Sequence, residues 1–76
     1  MTVYVVIEWF YEGDSNLVNS YVGTYFTREV AKSFIPEGKE ILPESDFELF
    51  KGKRYPKDWG QYSSPSKYEI REVDIE

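Results

Sequence analysis

The chain has 76 residues, of which 41% are hydrophobic and 18% aromatic, and a net charge of −5. That length allows one domain with a thin core, since folding at this size buries only about 60% of the surface that the unfolded chain exposes. With neither cysteine nor histidine, the sequence offers no disulfide framework, no thiolate nucleophile and no imidazole base or metal ligand.

Residues 2–12 predict a strand. Val3, Val5, Ile7, Trp9 and Tyr11 share one parity, and the other parity, from Thr2 through Tyr4, Val6, Glu8 and Phe10 to Glu12, is also half apolar. A strand apolar on both sides belongs in the middle of a sheet. The same run is broken by Glu8 and has no basic region before it, so it does not read as a signal peptide. No stretch approaches the roughly 18 consecutive apolar residues of a membrane span. A cytoplasmic protein without membrane contact is expected. Gly13-Asp14-Ser15-Asn16 marks a turn, and residues 17–26 return as the second strand of a hairpin.

Thr27 is placed to cap a helix over about 28–35, with Phe26 and Ala31 at the spacing of a hydrophobic staple. Val30, Ala31, Phe34 and Ile35 form its apolar face, and Pro36 stops it. Between Pro36 and Pro65, Ser45 and Glu48 have capping-box spacing and Gly52 can end a turn, which predicts a short second helix at about 45–51. Residues 66–75 form the last strand. Its apolar phase breaks between Tyr68 and Ile70 on one side and Val73 and Ile75 on the other, which calls for a bulge near Arg71-Glu72 or a change of face. The expected fold is α+β: a small antiparallel sheet in ββαβ order, strands about 2–12, 17–26 and 66–75, with one short helix packed on one face. The last strand is expected beside the first.

Two phrases in this pattern, Val22-Gly23-Thr24-Tyr25-Phe26-Thr27-Arg28-Glu29 followed by Ala31, and the closing Tyr68-Glu69-Ile70-Arg71-Glu72-Val73, resemble small proteins of phages and bacteria with a strand–strand–helix–strand pattern. The resemblance covers about a third of the chain. Some phage proteins of this size inhibit host machinery, so it implies an inhibitor of a host process; it implies no particular target and no catalytic residues.

Three constellations carry functional expectations. Glu8, Glu12 and Asp14, with Glu69, Glu72 and Asp74 in the last strand, could serve carboxylate or magnesium chemistry, or form a solvated acidic edge that discourages strand pairing. With no supporting motif, neither a catalytic residue nor a metal ligand is assigned, and no cofactor is expected. Residues 51–62 carry Lys51, Lys53, Arg54 and Lys57 against Asp58, a net +3 that leaves −8 on the rest of the chain. Tyr55, Trp59 and Tyr62 interleave with these cations, as in segments that bind single strands, nucleotides or acidic surfaces. The competing reading is a solvated loop whose Trp59 anchors a thin core. The opposite pole, Glu37, Glu40, Glu44, Asp46 and Glu48, suits either mimicry of a phosphate backbone or an ordinary wet surface.

The third constellation is the sheet face left open by a single short helix. Tyr4, Val6 and Phe10, with Tyr21 and Tyr25 nearby, would form an aromatic patch there, unless residues 37–62 fold across it. The expected function is a non-catalytic protein that occludes a protein partner. Its contact residues would be Lys53, Arg54, Tyr55, Trp59 and Tyr62, or Tyr4, Phe10, Tyr21 and Tyr25. One alternative is a small nucleotide- or nucleic-acid-binding module using 51–62, although net negative charge disfavours duplex DNA. Another is a structural subunit forming a homodimer through the open face.

Overall fold

The structure, a computed structural model, describes residues 1–13, 16–57, 59–60 and 64–75. Its elements are β1 (Thr2–Glu12), β2 (Asn16–Tyr25), α1 (Arg28–Ser33), a 3-10 turn at Glu44–Asp46, β3 (Phe47–Phe50), β4 (Lys53–Pro56) and β5 (Lys67–Asp74). β1 lies at the centre of a three-stranded antiparallel sheet, with β2 on one side and β5 on the other. A central strand has no solvated side, which is why both parities of residues 2–12 are largely apolar. The domain is α+β, with antiparallel sheets and one short helix, but its order is not a plain ββαβ.

The hairpin β3–β4 stands where a second helix at 45–51 is expected. The Ser45 spacing yields only a single 3-10 turn, whose capping position, Pro43, makes no side-chain hydrogen bond. From Phe47 onward Phe, Leu and Phe favour extended backbone, and Lys51 and Gly52 both take positive φ, 52° and 79°. Two central residues with positive φ make the tight turn whose twist matches a two-residue hairpin. A sequence of β-formers around that turn overrides a weak helix signal.

The sheet bulge also differs from expectation. β5 pairs with β1 in unbroken register from Thr2–Asp74 to Trp9–Lys67, so Arg71-Glu72 holds no bulge and the apolar phase simply changes face along β5. The irregularity lies in the other pair. Val6 faces Gly23 and Ile7 faces Tyr21, leaving Val22 as the extra residue of β2. One extra residue inverts the alternation of everything beyond it. Tyr25 therefore joins Tyr4 and Val6 on one face, while Tyr21, its hydroxyl 2.7 Å from that of Thr24, falls on the other.

Because the bulge turns Tyr25 toward Val6, the chain leaves β2 over that face and α1 covers it. Val6, Ala31, Ile35 and Tyr68 form one buried cluster, with Tyr4, Tyr25, Ile41 and Ile70 around it. The face expected to lie open is thus the one beneath the helix. The opposite face holds a second cluster of Ile7, Trp9 and Leu42, packed by Val5, Leu17, Phe47, Tyr55 and Trp59. The middle segment does fold across the sheet, and Trp9 lies beneath it. The Trp9 ring meets Phe47 and Tyr55 edge to face at 6.0 and 6.1 Å. Val6 and Trp9, central on their respective faces, are 0% and 1% exposed, so both faces of the sheet are covered at β1. None of the described helices is long and apolar enough to cross a membrane.

Candidate functional site

Glu69 is the chemically most unusual residue of the fold, a carboxylate only 2% exposed. The register of β5 places it opposite Ile7, on the face that the hairpin covers. Its Oε1 accepts from Trp9 Nε1 at 3.0 Å and from Arg71 Nη2 at 3.2 Å. Its Oε2 accepts from Arg71 Nε at 3.2 Å and from Arg54 Nη1. Four donors on two oxygens occupy the acceptor capacity of a carboxylate. Burial pushes the carboxyl upward, but the bonds from Arg71, Trp9 and Arg54 outweigh it and hold the group below its ordinary value. Glu69 is therefore a charged structural tie, with no lone pair left to act as a base.

Arg54 is the other half of that tie. It reaches from β4 to Glu69 and Glu44, with its guanidinium 3.7 Å above the Phe47 ring. Desolvation works against its charge, while hydrogen bonds to the two glutamates raise its pKa above the usual arginine value.

The basic–aromatic segment is thus divided by the fold. Arg54 is engaged inward, and Tyr55 and Trp59 pack on the Trp9 cluster. Trp59 meets Tyr11 edge to face at 5.2 Å, donates from Nε1 to the Pro65 carbonyl at 3.2 Å, and lies under the Lys67 ammonium. Its backbone N–H donates to the Tyr11 hydroxyl. These contacts suit an anchor. Lys53 stays exposed beside the hairpin turn, and Tyr62 lies outside the described residues. Tyr4, Phe10 and Tyr25 are half-buried, and Tyr21, on the opposite face, is 65% exposed. The expected aromatic sheet patch is split, with Tyr21 on the face opposite Tyr4, Phe10 and Tyr25.

The acidic constellation is parted as well. Glu8 accepts from the Tyr68 hydroxyl at 3.3 Å on the helix side, whereas Glu69 is sealed on the other face and Asp14 lies outside the described residues. Burial, with Glu8 adding to it, raises the pKa of Tyr68. No group of three or more carboxylates among the described residues could hold a metal ion.

What the structure does assemble is an apolar shoulder on the helix. α1 has six residues and buries only Ala31 within its span, with Ile35 just beyond. Phe26, Val30 and Phe34 are 75%, 46% and 56% exposed. Val30 and Phe34, four residues apart, share one row along the helix, flanking the buried row of Ala31 and Ile35, and Phe26 stands just before the extended cap Thr27. Phe34 stacks on Tyr25, ring centroids 4.5 Å apart and planes within 15°, which carries the patch down to the sheet. Arg28 and Lys32 flank the buried row on its other side, toward β5, where Arg28 comes to 4.0 Å from Glu72. The helix therefore has one apolar and one basic shoulder. All four apolar positions were legible as one face, an arc of about 140° at 3.6 residues per turn, of which only the side of Ala31 and Ile35 is buried.

Comparison with protein-family models, curated proteins and solved structures gives no match.

Proposed function

We propose that this protein is a non-catalytic binding module that occludes the surface of a partner protein, in the manner of phage-type inhibitors of a host process. The observation carrying this reading is the exposure of Phe26, Val30 and Phe34 around the helix, with Phe34 stacked on Tyr25. A domain with so thin a core leaves three large apolar side chains exposed at and just before its helix, and aromatic patches of that kind mark protein interfaces. The saturated Glu69 supports the non-catalytic part, since this buried carboxylate is committed to holding the fold. A nucleotide-binding reading of residues 51–62 is less favoured, because Tyr55 and Trp59, two of its three rings, are packed against Trp9 and Tyr11.

The test compares the wild type with a Phe26→Ser/Phe34→Ser variant as baits in a host lysate. Occlusion through the shoulder predicts a discrete partner that is retained at high salt, because apolar contact lacks the steep salt dependence of phosphate binding. The folded double variant should lose it. Equal retention by both baits would remove the shoulder from the interface.

A further inference from the structure

The outer edge of β5 is only partly covered. The Tyr68 N–H donates to the Glu40 carbonyl at 2.9 Å, and the Leu42 N–H donates to the Tyr68 carbonyl at 2.7 Å, so residues 40–42 lie along the start of this edge as a short parallel strand. Pro43 ends that pairing, because it has no N–H and leads directly into the 3-10 turn. In an antiparallel pair the backbone groups alternate toward and away from the neighbour. Tyr68 points away from β1, so Ile70, Glu72 and Asp74 do so too, while the odd positions bond to β1. Beyond Tyr68 the edge presents a row of outward N–H and C=O groups with no partner among the described residues.

That bare edge forms part of the wall of an open cleft of about 720 Å³. On the helix side the cleft is lined by Arg28 and Lys32, and on the hairpin side by Arg54 and Arg71. Four cations stand there against Glu44, Glu69 and Glu72, in a chain whose net charge is −5. Glu69 is consumed by its own hydrogen bonds, and Lys32 makes no ion pair among the described residues.

We infer that the β5 edge from Ile70 to Asp74 is a strand-addition site for an extended, acidic peptide segment of a partner protein. Such a peptide gains main-chain hydrogen bonds from the edge, and side chains at alternate positions give specificity. Its carboxylates point to the hairpin side, where they meet Arg71; the alternate residues are apolar and lie over Ile70 and the Arg28–Glu72 pair on the helix side, where Lys32 adds a cation to the cleft. A second copy of this chain is a poor occupant. Two-fold pairing centred on Arg71 sets Arg71 opposite itself, and pairing centred on Glu72 does the same with Glu72, and like charges directly opposite one another are destabilising. The site is separate from the apolar shoulder, so either assignment can fail without the other.

The test uses the whole chain and a labelled synthetic hexapeptide, acetyl-Thr-Glu-Val-Glu-Val-Thr-amide, followed by fluorescence anisotropy and by backbone amide shifts. The site predicts saturable binding with shifts concentrated at Ile70, Glu72 and Asp74. Glu72→Pro removes an outward N–H that no native bond uses, and should weaken binding at least tenfold with the sheet intact. Lys32→Glu should weaken it several-fold, as should replacing both peptide glutamates by lysine. Should Glu72→Pro disturb the fold, methylating the peptide backbone nitrogens that face β5 asks the same question of the wild type, with the same loss expected. Absence of saturable binding, shifts confined to Phe26 and Phe34, or concentration-dependent self-association through β5 in place of peptide binding would each overturn the inference.

Discussion

Trp9 and Glu69, sixty residues apart in sequence, are joined inside the domain by a 3.0 Å hydrogen bond from the indole Nε1–H to the carboxylate. Through Arg54, which bonds to the same carboxylate, β4 and its hairpin are tied to the sheet. Burying a charge is tolerable only when it is paired and fully hydrogen-bonded, so the bond network has to form as a unit.

Removing Glu69 should therefore be costly. Breaking a buried pair typically costs 3–5 kcal/mol; Arg54 and Arg71 keep 26% and 41% of their side chains exposed, which sets the expectation for Glu69→Ala near the lower end, about 3 kcal/mol. The folded-state pKa of Glu69 lies below its unfolded value. Its contribution is thus present above the unfolded carboxylate value of about 4.3 and is lost as pH falls through the lower folded value. Urea midpoints at pH 7 and pH 3 check this. Wild type should lose more stability between them than Glu69→Gln does, and parallel losses would mean that Glu69 is not the titrating tie.

The two sides of α1 should respond unequally to mutation. Ala31 is 0% exposed against Val6 and Tyr68, and Ala31→Leu overpacks that contact at a cost of about 1–3 kcal/mol. Phe34 is 56% exposed and loses mainly its stacking on Tyr25, so Phe34→Ala should cost only about 1 kcal/mol. Thermal melts of the two variants decide the order, and the reverse order would mean that the helix is rotated about its axis.

Lys51 takes a left-handed conformation, φ 52°, at the tip of the β3–β4 hairpin. An ordinary L-residue there costs about 1–2 kcal/mol relative to glycine, and asparagine tolerates it better. Lys51→Asn should stabilise the domain by about 0.5 kcal/mol, read as a higher urea midpoint at an unchanged slope. A lower midpoint would argue against this turn.

The strong periodicities in the sequence carried through to the fold. The two-sided apolar pattern of residues 2–12 placed β1 at the centre, and Thr27 accepts from the Val30 N–H as a cap should. What could not be read was decided by one residue or by distant partners. Val22 looks like any strand residue, yet as the bulge it separates Tyr21 from Tyr25 and sends the helix over the Val6 face. Arg54, Tyr55 and Trp59 look like a recognition segment because cations and rings alternate; only the positions of Glu69 and Trp9 reveal that they turn inward. The helix was legible, but its shortness, which leaves Phe26, Val30 and Phe34 outside, depends on how little sheet lies beneath it.

The measurement that tests the central claim most directly is site-specific photo-crosslinking in host lysate, with a photoreactive phenylalanine analogue placed singly at positions 26, 30, 34 and 19. Asn19 is an exposed control on β2, away from the helix. Occlusion of a partner through the apolar shoulder predicts one and the same discrete adduct from positions 26, 30 and 34 and none from 19. Adducts of equal strength at all four positions, or none at the three helix-side positions, would contradict it.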